Sequence, residues 1–418
     1  MKTLPRIQRG ALLLLACLLL LLPGLSAAAQ TTPTSDEKAI MSLIDAYFAQ
    51  RYELLSSKTP KAAKPDLSKY TAKSIRTQAF ILAEQDKLQL ELAHAQNEGL
   101  TFHMVDYTLE YQSITVDETN QSARVVLIEG YDAIFETSFQ LDPKDPPVTE
   151  MRSLEHVILL QKTAGKWGIV SDDYLDYLWR VIEYSGAPKE KLLQLILDPI
   201  AEPEAPLSTA DPKSTTPQTL CNLPADPTSH AYNRRAAADY ALKWALSRNP
   251  AYHDFSNLGG DCTNFVSQAV HNGDAAMAFY TCKTCVGTYG WYYRTLYDRA
   301  KAWASVMALW NFFADPGFYP YWDIGPEGCS VAREKTMLAD VIQYDWGGDG
   351  VWDHAVIITE IRTGTDGKPV QYVSAHSQDF RNVPYTYFRS ASAVRYLHIE
   401  RIDGLLYPNQ LYLPAIEN

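Results

Sequence analysis

The chain has 418 residues, of which 46% are hydrophobic and 21% are charged, and its formal net charge is −12. This composition is typical of a folded globular protein and excludes a disordered chain, a collagen-like fibre and a basic nucleic-acid binder. The length predicts two domains, and the acidic balance disfavours nucleic acid as a partner.

The first residues predict a secretory signal peptide at 1–29. Basic residues precede an apolar run at 11–22, and three alanines at 27–29 follow a Pro-Gly break, which is the pattern of a cleaved signal. The run is too short for a membrane span, which takes ~20 residues. Cys17 lies inside the run rather than at its end, which disfavours a lipoprotein. We therefore expect a secreted or cell-envelope, extracellular protein with no membrane span.

Residues 36–198 predict an N-terminal α+β domain. Apolar residues at helical spacing predict helices at 36–57 and 68–97. Helices followed by a curved antiparallel meander resemble the cone-shaped domains related to nuclear transport factor 2, and the resemblance implies an NTF2-like domain. Period-two stretches predict the strands of the meander, with a hairpin between the last two, at 105–116, 123–131, 154–162 and 167–172.

A proline-rich segment at 199–228 predicts a linker. It is too polar to bury, and its prolines stiffen it into extended stretches. The second domain then covers 229–405, and 406–418 form a C-terminal tail. The residues that suggest chemistry lie in this second domain.

Cys262 is the candidate nucleophile. Two glycines at 259–260 interrupt the chain and Asp261 is a good N-cap residue, so Cys262 falls in the first turn of a predicted helix. The free N–H groups and the positive dipole end of a helix stabilise a thiolate, lower the thiol pKa and can bind an oxyanion. The alternative is a buried structural cysteine, so the catalytic interpretation requires a neighbouring base.

His354 is the candidate base. It lies in a β-branched stretch that predicts a strand, and a second strand that ends at His376 returns after a turn. If the turn is centred near Thr365, His354 and His376 lie opposite each other, and His376 can orient the imidazole of His354. A register slip of one residue would place the two rings on opposite faces. Asp379 is the alternative third member.

Four sequence blocks within residues 230–400 resemble the amidase domain family of bacterial secreted proteins. The most specific block reads Asp-Cys-Thr-Asn-Phe-Val-Ser-Gln at 261–268, and the later blocks lie at 339–345, 353–355 and 374–377. Ala339 stands where the family usually has glycine.

This family is related in plan to the NlpC/P60 and CHAP cysteine hydrolases. The resemblance therefore implies an α+β, papain-like second domain that hydrolyses amides. It implies Cys262 as the nucleophile, His354 as the base and His376 as the third member of a Cys-His-His triad.

The remaining cysteines of the mature chain predict disulfide bonds. If Cys262 stays free, four cysteines form an even set for an oxidising compartment, and three pairings of Cys221, Cys282, Cys285 and Cys329 remain open. The Cys-Lys-Thr-Cys segment at 282–285 lacks the second pair of a zinc site. The aspartates at 345, 349 and 353 lack the alternating spacing of a calcium loop and favour a turn. We expect no metal and no cofactor.

Together these features predict an exported cysteine amidase or peptidase. Its expected substrate is a peptide or amide, with peptidoglycan peptide the first choice for an exported bacterial enzyme of this plan. The alternative is a secreted binding module whose amidase-like domain is catalytically inactive.

Overall fold

The computed structural model describes most of both predicted domains. The predicted signal peptide, most of the predicted linker, the C-terminal tail and the cysteines at 282 and 285 lie outside the described residues. Every helix within those residues is too short or too polar to cross a membrane. The described residues are 32–56, 66–73, 75–136, 146–185, 221, 223, 226–279, 290–314, 324–364, 367–389 and 393–404.

Two long helices open the N-terminal half, as the apolar spacing predicted. They are α1 (Ser35–Leu55) and α2 (Ile75–Asn97). A capping box starts α1, because Thr34 and Glu37 each bond the other's backbone N–H. The apolar face of α1, which includes Ile40, packs into the core.

A four-stranded antiparallel meander follows, which confirms the predicted strands. Its hairpin at 163–166 turns through Ala164 and Gly165, whose φ angles are 50° and 78°, as a tight two-residue hairpin requires. A short helix, α3, then leads toward the second half. The elements are β1 (Thr101–Asp117), β2 (Ser122–Glu136), β3 (Val148–Thr163), β4 (Lys166–Asp173) and α3 (Tyr177–Ser185).

The C-terminal half packs helices against an antiparallel sheet. The helices are α4 (Arg234–Trp244), α5 (Cys262–Asn272), α6 (Lys301–Ala304) and α7 (Val306–Ala314). The strands are β5 (Ala278–Phe279), β6 (Gly290–Trp291), β7 (Gly325–Ser330), β8 (Val341–Asp345), β9 (His354–Thr363), β10 (Pro369–Ala375), β11 (Asp379–Pro384) and β12 (Ala393–Asp403).

One antiparallel sheet runs through both halves. Within the described residues it has ten strands in the order β1-β2-β3-β11-β10-β9-β8-β12-β7, and β4 pairs with β3. The junction is β3, whose residues 150–152 pair with β11 while its residues 157–163 pair with β4. The architecture is therefore α+β, with the two predicted domains joined edge to edge.

The two faces of the sheet carry separate apolar cores. Val356 and Ile358 of β9 face a core that also holds residues of α1, β2 and β3. Ala355 and Ile357 face the second core, under α4, α5 and α7. In that core α5 is buried on every side, since all its residues from 262 to 270 are buried.

The predicted register of β9 and β10 is wrong. The hairpin pairs Pro369 with Thr363, so the turn is centred one residue later than we assumed, and a bulge shifts the register again after Tyr372. His376 consequently lies just past the end of β10 and does not face His354.

A disulfide joins Cys221 to Cys329. The sequence had left the partner of Cys221 open, and this bond anchors the end of the predicted linker to β7. Cys262 is free.

Candidate functional site

Cys262 is the first residue of α5, and its sulfur contacts the start of β9. Its side chain is buried, with a relative exposure of 6%, and its sulfur lies close to the backbone N–H of Ala355. Ala355 directly follows His354. The helix start therefore holds the thiol beside the strand residue that the sequence proposed as its base.

Burial raises the pKa of the Cys262 thiol above its ordinary value. The hydrogen bonds from Ala355 and Thr263 oppose the rise but do not cancel it. The sequence-based expectation of a lowered thiol pKa is therefore wrong in direction. It rested on the helix N-terminus alone, whereas α5 begins inside the core, where desolvation disfavours the thiolate.

Aromatic rings hold the imidazole of His354. The ring stacks on Trp346, with centroids 5.0 Å apart and an interplanar angle of 20°, and Phe388 lies 5.1 Å away. The Nε2 atom is buried and has no hydrogen-bond partner among the described residues. Burial, aided by the positive charge of Arg180, lowers the pKa of His354 to about 3, so the imidazole is neutral at physiological pH.

Cys262 and His354 line the same small pocket. Its volume is about 20 Å³, which is room for about one water molecule. Residues from both halves of the protein form its wall: Tyr177, Arg180, Gly259, Gly260, Cys262, Trp346, Asp353, His354, Ser377, Gln378 and Phe388.

His376 makes its hydrogen bonds away from His354. Its Nδ1 lies 2.7 Å from Asp261 Oδ2 and its Nε2 lies 2.8 Å from the carbonyl oxygen of Trp244. Its ring also stacks on Phe265, with centroids 4.0 Å apart. Both ring nitrogens are therefore occupied, and the structure does not join His376 to the imidazole of His354.

Asp379, the other proposed third member, is held by an arginine. Its two carboxylate oxygens each accept a 2.9 Å hydrogen bond from Arg248. This bidentate pair fixes the first residue of β11 and leaves neither oxygen bonded to His354.

Asp261 connects the segment before α5 to the strands. Its Oδ1 accepts the backbone N–H of Phe255 and the side-chain amide of Asn264, and its own N–H donates to Ser377 Oγ over 2.8 Å. Asp261 occupies the N-cap position, but its carboxylate makes no capping bond to the helix. The predicted capping role is thus replaced by a tether that positions the neighbouring Cys262.

The sequence did not identify five of the pocket residues: Tyr177, Arg180, Trp346, Gln378 and Phe388. Gln378 directly follows the block at 374–377 and Trp346 directly follows the block at 339–345, so their positions in the sequence were a usable signal. Tyr177 and Arg180 come from α3, and no local pattern linked that helix to Cys262.

The aspartates at 345, 349 and 353 belong to a turn, as predicted. Asp345 accepts the backbone N–H groups of Gly348 and Gly350, and Asp353 accepts that of Trp346. In the described part of the chain, no cluster of three or more His, Cys, Asp or Glu side chains is arranged to hold a metal ion.

Comparison with known proteins supports an amidase-like second half. Residues 231–399 match the model of a family described as "Putative amidase domain". This region is amidase-like. The backbone at Ala339 accounts for the glycine that the family usually has at this position. Ala339 has a φ of 64°, a conformation that glycine adopts more readily than alanine.

Two relatives from Bacillus subtilis (strain 168) are uncharacterized proteins. The chain is 29% identical to YhbB over 181 residues, which are 41% of this chain and 51% of YhbB. It is 29% identical to YjcM over 166 residues, which are 38% of this chain and 34% of YjcM. The matches thus span about half and about a third of these relatives.

One solved structure aligns weakly with the chain. It is the "Crystal structure of intermembrane space region of chloroplast protein ARC6", at 16% identity, covering 34% of this chain and 98% of that one. The TM-score of 0.22 is too low to indicate a shared fold.

Proposed function

We propose that the amidase-like half is a cysteine-dependent amide hydrolase, with Cys262 as nucleophile and His354 as base. The observation that carries the proposal is the position of the Cys262 sulfur close to the backbone N–H of Ala355, because Ala355 directly follows His354. Both side chains line one pocket, and the family match supplies the reaction class. The packing of the cysteine helix on an antiparallel sheet agrees with the papain-like plan that the resemblance implies.

The resting pair is a neutral thiol and a neutral imidazole. As the sulfur attacks the amide carbonyl, its proton moves to His354, and the free N–H groups of the first turn of α5 stabilise the oxyanion. The C–N bond then breaks and the leaving nitrogen takes the proton from His354. Water, deprotonated by His354, cleaves the resulting thioester and restores the thiol. In this scheme His376 is a positioning residue that acts through Asp261.

The proposed setting is outside the cell. It rests on the signal pattern at 1–29 and on the disulfide between Cys221 and Cys329, since disulfides persist in oxidising compartments. Peptide or amide substrates, including peptidoglycan peptide, fit this location.

Digestion of purified cell wall and of small peptide amides, with products identified by mass spectrometry, tests the function. We expect Cys262→Ala and His354→Gln to abolish product formation while the melting temperature stays close to that of wild type. His103→Gln is the matched control, because this partly exposed histidine lies outside the pocket. Full turnover by Cys262→Ala would exclude the mechanism.

One observation favours the second candidate function, an inactive binding module. The pocket has room for little more than a water molecule and Cys262 is buried. An inactive module predicts that the wild-type protein binds cell wall or peptide without cleaving it, and that Cys262→Ala binds equally well. If the wild-type protein forms product and Cys262→Ala does not, the inactive-module hypothesis is excluded.

A further inference from the structure

The N-terminal half supplies part of the wall around Cys262. Tyr177 and Arg180 of α3 line the pocket. Two hydrogen bonds fix this helix: Asp176 caps it by accepting the N–H of Trp179 over 2.9 Å, and Gln378 accepts the N–H of Tyr177 over 2.8 Å. The backbone of α3, rather than a side-chain partner, therefore holds Arg180 at the pocket.

Arg180 carries an unpaired charge. Of the residues that line the pocket, it alone has a fixed positive charge. Its guanidinium makes no ion pair with a carboxylate of the described residues, and its Nε is buried without a hydrogen-bond partner. The side chain as a whole is partly exposed, but its Nε lacks the acceptor that water would otherwise supply, so a ligand that provides this acceptor would stabilise it.

Other arginines of the same region are used internally. Arg248 donates two hydrogen bonds to Asp379, and Arg234 donates one of 2.6 Å to Asp340. The second charged group of the pocket wall, Asp353, is also occupied, since it accepts the N–H of Trp346 over 2.8 Å. Of the charged side chains that line the pocket, Arg180 is therefore the one that can donate hydrogen bonds to an anionic ligand.

We propose that Arg180 binds a carboxylate on the leaving side of the amide substrate. The substrate class is then an acylated amino acid or peptide whose leaving amine carries a free carboxylate. The inference rests on the proposed function for the position of the scissile bond. A guanidinium fork matches a carboxylate with two parallel hydrogen bonds.

The positions of Arg180 and His354 indicate which part of the substrate, the acyl group or the leaving amine, carries the carboxylate. The imidazole must pass its proton to the leaving nitrogen, so the leaving group lies against His354. Arg180 and His354 both line this pocket of about 20 Å³, so a group bound beside His354 is also within reach of Arg180. A carboxylate bonded to Arg180 would therefore be attached to the departing amine.

Paired substrates test the inference. The probes are N-acetyl dipeptides with a C-terminal glycine, each compared with its C-terminal amide, and the readout is kcat/KM for release of glycine or glycinamide. We expect wild type to favour the free acid, and Arg180→Gln to lower kcat/KM for the acid about tenfold to a hundredfold, the usual range for a lost hydrogen bond to a charged group. The amide substrate should change by less than about twofold, the scatter expected without a lost contact.

Two variants serve as controls. Arg180→Lys keeps the charge without the fork and should retain part of the preference for the acid. Arg235→Gln removes an exposed arginine of α4, which lies outside the pocket, and should leave both substrates unchanged. An equal fall for acid and amide in Arg180→Gln, or no preference in wild type, would overturn the inference.

Binding separates this inference from the proposed function. Calorimetry with Cys262→Ala should show tighter binding of the acid than of the amide, and the double variant with Arg180→Gln should lose this difference. If that preference is seen while wild type cleaves neither probe, carboxylate recognition stands and the hydrolase proposal fails. Equal binding of both probes to Cys262→Ala contradicts carboxylate recognition.

Discussion

Cys262 and His354 are both shielded from water, and shielding favours the uncharged form of each. The thiol pKa is raised and the imidazole pKa is lowered to about 3. In the proposed mechanism, the nucleophilicity of Cys262 would therefore depend on proton transfer to His354 rather than on a thiolate that exists beforehand. This arrangement protects the sulfur from solutes that do not fit beside His354.

We predict slow alkylation of Cys262 by iodoacetamide at neutral pH, because only the thiolate reacts. The rate should keep rising above pH 9, the ordinary pKa of this thiol. At neutral pH it should be higher in urea, which opens the pocket, than in the folded protein. Peptide mapping by mass spectrometry assigns the label to Cys262. A plateau below pH 8 would show instead that the thiol pKa is lowered.

Substitution of His376 distinguishes a positioning residue from a catalytic one. We expect His376→Gln to destabilise the protein by about 1–3 kcal/mol, the usual cost of leaving buried polar groups without their hydrogen bonds, since the contacts to Asp261 and to the Trp244 carbonyl are lost while Arg248 still pairs with Asp261. The pH profile of kcat should keep its shape in the folded fraction. A loss of kcat above about a hundredfold at unchanged melting temperature would instead make His376 a member of the catalytic group.

At the scale of elements, the entry to α5 depends on Gly260. Its φ is 117°, and a β-carbon there would lie 3.2 Å from Ser377 Oγ. That oxygen cannot move freely, because it accepts the N–H of Asp261. The start of α5 and the turn after β10 therefore pack closely against each other.

We predict that Gly260→Ala destabilises the protein more than Gly259→Ala. Both positions have a positive φ, but a β-carbon at Gly259 meets nothing within 4 Å. The difference should be about 1 kcal/mol, the contribution of the hydrogen bond that Ser377 would lose, measured by urea unfolding. Equal losses for the two variants would mean that Ser377 adjusts without cost.

Elements of this fold were predictable where the signal is local. The helical spacing of α1 and the hairpin at 163–166 were read correctly, and Cys262 begins a helix as expected. The bulge after Tyr372 was not predicted, because it depends on pairing with β9 rather than on the residues of β10. The contribution of α3 to the site was also beyond local reasoning: the Tyr177–Gln378 hydrogen bond joins residues 201 positions apart.

At the scale of the whole molecule, a buried network in the N-terminal half links stability to pH. His156 is fully buried and bonds Asp172 over 2.8 Å and Glu129 over 3.0 Å. Burial opposes its protonation, but the two carboxylates raise the pKa of His156 to about 9. Because an unfolded histidine titrates near ~6.5, the folded state holds this proton more tightly.

We predict that this stabilisation is complete below pH ~6.5 and is lost as the pH rises through about 9. The melting temperature of wild type should fall across this interval by about 2 °C or more relative to His156→Gln. His103→Gln, which alters a partly exposed histidine, should follow wild type. Parallel curves for wild type and His156→Gln would contradict a raised pKa.

The short pairing of β3 with β11 means that the two halves of the chain cannot be separated without exposing a strand edge. A fragment that begins at residue 229 would leave β11 as an open edge and uncover Phe380, which is fully buried in the intact chain. Open edges recruit strands from other molecules, so we expect this fragment to form soluble aggregates, detectable by light scattering, while the whole chain does not. It would also lack Arg180. The matched segment at 231–399 thus holds both proposed catalytic residues, while the proposed carboxylate recognition and the covered strand edge require residues of the N-terminal half.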